Sequence, residues 1–137
     1  MTLDQSARLE RAMAVQDVGD IAWVEFHPVL GTEQGGRRPA LILTSRRYHE
    51  ICGRAVVCPI TSNAGPWSFN VPLPTGIKTK GVVQVDQIRT VERAARVFRK
   101  IDTVPDTFVD EIRMTLAALL GFDFSVLSGD ADRAKPA

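Results

Sequence analysis

Residues 19–44 read GDIAWVEFHPVLGTEQGGRRPALILT, and this stretch sets the fold: a strand, a glycine-broken loop, and a second strand. Gly19 to Phe26 is rich in β-branched and aromatic residues, as is Pro39 to Thr44, and both suit a half-buried pleated surface. Between them, Gly31-Thr32-Glu33-Gln34-Gly35-Gly36 is flexible and ends on Arg37-Arg38-Pro39. Two adjacent guanidinium groups are thereby delivered onto the first residues of an apolar strand, which is a design for holding phosphate.

Working outward, further strands are expected near 54–60, 68–73, 81–87 and 95–101. A short helical turn around Ser45 to Glu50 interrupts them, and turn signals stand at Asn63-Ala64-Gly65-Pro66 and Pro74-Thr75-Gly76. After Asp102 the period changes. Pro105 suits a first helical turn, Asp106, Asp110 and Glu111 favour its N-terminal half, and Phe108, Val109, Ile112, Leu116, Leu119 and Leu120 recur at helical spacing until Gly121. Residues 3–15 fit a short amphipathic helix, and residues 125–137 are small, polar and charged, as in a poorly ordered tail. Short strands at close spacing followed by one helix predict a mainly β domain: a small β-barrel or curled antiparallel sheet with a C-terminal α-helix and a short N-terminal helical extension. The boundaries read as an extension at 1–16, the domain at 17–124 and a disordered tail at 125–137.

The net charge of +1 conceals a strong segregation. Residues 34–100 hold 12 Lys or Arg against 3 acidic residues, a surplus of +9, while the remainder is at −8. A basic β-rich centre favours a polyanionic partner. The chain lacks the roughly 18 consecutive apolar residues of a membrane helix, and its first 16 residues carry Asp4, Arg8, Glu10 and Arg11 without an apolar run. A cytoplasmic location without membrane contact is expected. Cys58 lies inside a strand-like apolar run and reads as a buried thiol. Cys52 and Cys58 form no Cys-x-x-Cys pair, and His49 nearby completes no ligand set, so no metal is expected.

Four blocks occur in order: Gly19 to Pro28, Gly31 to Pro39, Pro59 to Ser62, and Val85 to Thr90. Together they resemble the MazF/PemK (Kid) toxins of toxin–antitoxin systems over about residues 18–121. The resemblance implies an SH3-like β-barrel with a C-terminal helix, a homodimer, and a sequence-specific, metal-independent endoribonuclease (an mRNA interferase) that needs no cofactor. It also implies cleavage of single-stranded RNA by attack of the ribose 2′-OH, leaving a 2′,3′-cyclic phosphate and a 5′-OH. The implied partner is a cognate antitoxin whose acidic, disordered C-terminal segment folds across the basic groove. Two other classes compete: the same fold occurs in CcdB toxins, which inhibit DNA gyrase by protein contact, and a former toxin that has lost activity would only bind antitoxin.

Three residues are expected at the reaction. Arg38 matches the family's active-site arginine before proline; a guanidinium is a poor base, so its expected role is electrostatic stabilisation of the phosphorane. Thr61 matches the threonine after the third strand, where a hydroxyl can donate to the phosphate or orient the 2′-OH; read without the resemblance, Thr61-Ser62-Asn63 is a turn closed by local hydrogen bonds. Asp86 matches the aspartate of the Val-Asp-Gln strand, either as a base or as a residue that pins its surroundings. RNA contacts are expected from Glu33, Gln34, Arg37, Ser62, Trp67, Lys78, Lys80, Gln84 and Gln87. PemK-like members carry arginine and histidine where this chain has Gln84 and Thr32, so the Arg38 and Thr61 scheme of the MazF-like branch is the one adopted. Neither His27 nor His49 is expected to be catalytic.

Overall fold

The computed structural model describes residues 15–27, 31 and 35–122. The expected N-terminal helix and C-terminal tail lie outside these residues, as do Thr32, Glu33 and Gln34. Seven strands form one open, curled antiparallel sheet: β1 (Asp20–Glu25), β2 (Arg37–Ile42), β3 (Arg54–Thr61), β4 (Asn70–Pro72), β5 (Val82–Gln84), β6 (Arg89–Glu92) and β7 (Val97–Thr103). Their order is β4-β5-β3-β2-β1-β7, with β6 also paired to β3. Helix α1 (Arg46–Cys52) joins β2 to β3, one turn α2 (Arg93–Arg96) joins β6 to β7, and α3 (Asp106–Leu119) closes the chain.

Alternation along the strands buries both faces of the sheet. One face carries Ile21, Leu41, Cys58, Ile60 and Val83, packed on Phe108, Val109 and Ile112 of α3. The other carries Ala22, Val24, Ala40, Ile42, Ala55 and Val57 and curls over Val91 and Val97. Ile112 is fully buried, so Ile112→Ala removes packing worth about 2–5 kcal/mol and loosens α3 from the sheet.

Strand β3 organises the curl. The Leu43 N–H donates to the Val56 carbonyl at 2.9 Å, which turns the backbone groups of Val56, Cys58 and Ile60 toward β2 and those of the intervening residues to the opposite edge. On that edge β6 pairs with Arg54 to Val57 and β5 pairs with Ile60 and Thr61. Pro59, which has no N–H to offer, falls between the two partners. The sheet forks there, and β3 ends at Thr61 with β5 beside it.

The expected elements between 20 and 61 appear within a few residues. Farther on the sequence misled in two places. The run expected as one strand over 81–87 stops at Gln84 and turns through a 3₁₀ turn at Val85–Gln87. The strand expected at 95–101 begins at Val97 because residues 93–96 are helical, and β6 was not anticipated. Arg89-Thr90-Val91-Glu92 has one buried apolar residue, Val91, and is a strand only because β3 supplies its hydrogen bonds.

Residues 15–17 are sewn onto the fold ahead of β1. His49, 2% exposed, meets the Gln16 carbonyl with Nδ1 at 2.8 Å and the Thr44 hydroxyl with Nε2 at 2.7 Å. A carbonyl only accepts, so Nδ1 carries the hydrogen. Gln16 Nε2 donates to the Phe98 carbonyl at 2.9 Å, and the Arg46 Nε donates to the Val15 carbonyl at 3.3 Å. Asp17 Oδ1 accepts from the Arg46 N–H at 2.9 Å and from the Val18 N–H at 2.9 Å. These two backbone donors, Arg46 first, hold the Asp17 carboxyl below the usual carboxylate range.

Candidate functional site

The site forms where β2 begins and β3 ends. Arg37 and Arg38 open β2 opposite Glu25 and Val24 of β1. The stem beneath them is closed by the Phe26 N–H donating to the Gly36 carbonyl at 3.0 Å and by the Arg38 Nε donating to the Gly35 carbonyl at 3.0 Å. The other side of the stem is clamped by arginines. Arg89 donates to the Phe26 carbonyl at 3.1 Å, and Arg96 donates to the carbonyls of Glu25 and His27. Part of the positive surplus therefore holds backbone.

Arg37, Arg38, Thr61, Ser62 and Lys80 share one open depression of about 360 Å³, with Trp23 and Pro39 in its wall. Among the described residues its lining has three cationic side chains and no carboxylate, the composition that favours a phosphate. Thr61 is 8% exposed, and its Oγ1 accepts from the Asn63 N–H at 3.3 Å. The local turn read from the sequence is thus present, and it orients the hydroxyl, whose own hydrogen is the one it can give to a phosphate oxygen.

Two residues that sequence reasoning passed over fix this geometry. Asp102 on β7 accepts from the N–H groups of Lys78 at 2.9 Å and Thr79 at 2.8 Å and from the Thr79 hydroxyl at 3.0 Å, all on one oxygen. Burial raises the Asp102 pKa, but hydrogen bonds from the Thr79 N–H and hydroxyl, then Thr103 and Lys78, outweigh it and hold the carboxyl below its ordinary value. The loop that presents Lys80 is thereby tied down. Gly81 follows at φ +126°, and a Cβ placed there would stand 2.4 Å from the Thr61 carbonyl oxygen. The backbones at 61 and 81 touch because residue 81 has no side chain. A glycine at a strand start signals such an approach, whereas Asp102 gave no sequence signal beyond ending a strand.

Asp86, Gln84, Gln87 and Trp67 gather in a neighbouring depression of about 350 Å³ that shares Asn63 with the first. Asp86 therefore lines a depression next to the one that holds Arg38 and Thr61. Its carboxylate accepts from the Trp67 Nε1–H at 2.8 Å, and Trp67 stands edge-on to Phe69 with ring centroids 5.7 Å apart. Asn70 Oδ1 and Gln84 Oε1 are buried at this wall without a hydrogen-bond partner among the described residues. Lys78 lines neither depression; its N–H belongs to Asp102. Glu33 and Gln34 fall outside the described residues.

Residues 17–120 match the family described as PemK-like, MazF-like toxin of type II toxin–antitoxin system. The chain is 37% identical over 117 residues to the endoribonuclease PemK of Escherichia coli, covering 82% of this chain and 88% of that protein. A solved structure of MazF from Deinococcus radiodurans superposes with a TM-score of 0.74 at 38% identity, covering 79% of this chain and 98% of that one. A MazE–MazF structure from the same organism gives a TM-score of 0.67 at 34% identity, over 80% and 98% of the two chains.

Proposed function

The chain belongs to the PemK-like, MazF-like toxins of type II toxin–antitoxin systems, and on that premise we propose that it is an endoribonuclease in which Arg38 and Thr61 act on the scissile phosphate of single-stranded RNA. The observation that carries the reading is the depression in which three cations and one oriented hydroxyl meet. In-line attack of a 2′-OH on its own phosphorus builds charge on the non-bridging oxygens, and preformed donors aimed at that charge lower the barrier. Arg38 offers a planar fork, anchored through Nε to the Gly35 carbonyl, so its terminal nitrogens face the phosphate. Thr61 adds a neutral donor, and Lys80 and Arg37 add charge at the rim.

Asp86 reaches the reacting phosphate only where one nucleotide bridges the two depressions. Its carboxylate, in a depression lined also by Asn63 and Gln87, can accept from a base edge with N–H donors, so sequence choice is assigned to that wall. The products are then a 2′,3′-cyclic phosphate and a 5′-OH, made in the cytoplasm. A cognate antitoxin is the partner, and its acidic segment would compete for the same basic surface. A homodimer is proposed from family membership. The gyrase-inhibitor alternative places its decisive residues in the C-terminal helix; family membership and the Arg38 depression both favour the nuclease. Incubation with a long RNA in EDTA should give fragments with cyclic phosphate ends. Absence of cleavage by the wild type, or undiminished cleavage by Arg38→Ala, would refute the assignment.

A further inference from the structure

A third depression, of about 370 Å³, adjoins the Arg38 site and is lined by Trp23, Arg37, Phe98 and Arg99. It shares Trp23 and Arg37 with that site, so a chain leaving the scissile phosphate enters it directly. Phe98 projects from β7, and the Arg37 guanidinium carbon lies 4.0 Å from the centroid of its ring. Phe98 and Arg37 are both exposed, so the stack faces solvent and no internal packing demands it. A guanidinium propped on a ring presents its other plane outward, and such planes stack nucleobases as aromatic rings do. Arg99 places a second positive charge at the same rim.

We infer that this depression is a nucleotide subsite, in which a base flanking the scissile phosphate stacks on the Arg37 and Phe98 platform and Arg99 meets its phosphate. The inference rests on the nuclease reading above and extends it to residues on β1 and β7 that lie outside the reacting group. Two arginines, a tryptophan and a phenylalanine provide no side-chain acceptor, so the amino groups of adenine and cytosine are not read here. The subsite gives affinity that tolerates any base, in contrast to the wall beside Asp86.

The test measures binding of the full chain to a random-sequence 2′-fluoro RNA pool of about ten nucleotides, which lacks the attacking hydroxyl, together with cleavage of ordinary RNA. Phe98→Ala should weaken binding about 10-fold with an unchanged slope of log Kd against log salt, since no charge is lost. Phe98→Tyr should restore it, and Arg37→Lys, which keeps charge but not the plane, should behave like Phe98→Ala. Arg99→Gln should weaken binding and reduce that slope by about 0.7. Wild-type binding with equally tight binding by Phe98→Ala and Arg37→Lys overturns the subsite alone. A wild-type chain that neither binds the pool nor cleaves RNA overturns the nuclease reading and the subsite with it.

Discussion

Replacing Gly81 by alanine isolates the contact that sets Thr61. The new Cβ would lie 2.4 Å from the Thr61 carbonyl oxygen, 2.9 Å from its carbon and 3.2 Å from the Ser62 nitrogen. All three are backbone atoms, so no flexible side chain can yield. Relief requires a displacement of about 0.6 Å, the difference between 2.4 Å and the 3.0 Å that real contacts respect. A misplacement of about 1 Å near a reacting centre can cost about 100-fold in rate, so 0.6 Å at Thr61 is expected to cost about 10- to 100-fold in kcat. Stability falls as well. A side chain at φ +126° adds about 1–3 kcal/mol of backbone strain, and overpacking adds a similar amount. Together these are about 2–6 kcal/mol, and at about 4 °C per kcal/mol for a domain of this size Tm falls by about 8–24 °C. Cleavage of a fluorogenic RNA at 15 °C, where the variant is folded by circular dichroism, separates the two effects. Gly76→Ala is the control: its φ is +89° with nothing within 4 Å of the added carbon, so Tm should drop by a few degrees with kcat unchanged. A folded Gly81→Ala that cleaves within twofold of wild type would refute the claim that this contact positions Thr61.

Other expectations follow from single interactions. Because hydrogen bonding holds the folded Asp102 pKa below its unfolded value, its contribution to stability is complete above the unfolded pKa, near pH 4, and is lost as pH falls through the folded value. Asp102→Asn should therefore lower the urea midpoint at pH 7 and flatten the acid limb of stability against pH. Burial, with the Asp86 charge second, pushes the Cys58 thiol up to about 12, so iodoacetamide at pH 8 should leave Cys58 unmodified until the chain is unfolded, as peptide mass mapping would show. Arg96→Ala frees the carbonyls of Glu25 and His27 and should cost about 1–3 kcal/mol, with faster hydrogen exchange at residues 25–27. Thr61→Val keeps shape but removes the donor, and should lower kcat more than it changes RNA affinity.

The parts of this fold legible in the sequence are those governed by local pattern. Alternation marked β1, β2 and β3, and helical spacing with a glycine stop marked α3, because in each case one face is apolar over the element's length. β6 and α2 are illegible since Arg89 to Arg96 contains little apolar patterning, and the conformation of Arg89 to Glu92 is set by pairing with β3. The site divides along the same line. Arg38, Thr61 and Lys80 are singled out by their place in short motifs, but nothing local reveals that all three line one depression or that Asp86 faces a separate one. Those facts depend on how β3 forks at Pro59. In the sequence Trp23 is one aromatic among strand residues, and Phe98 has no visible partner; β7 brings it under Arg37.

The bonds made by Val15, Gln16 and Asp17 bear on where this domain begins. Similarity to the family starts at residue 17, yet the carbonyl that satisfies the buried His49 ring belongs to Gln16, and the Arg46 side chain reaches back to Val15. A chain shortened to the family boundary would leave an imidazole N–H sealed in the interior with nothing to receive it, at a cost of about 1–3 kcal/mol. The unit that folds thus reaches back at least to Val15. Excision by homology alone would yield a weaker protein whose defect starts at the cut end and extends to the Phe98 carbonyl, which would lose its bond from Gln16.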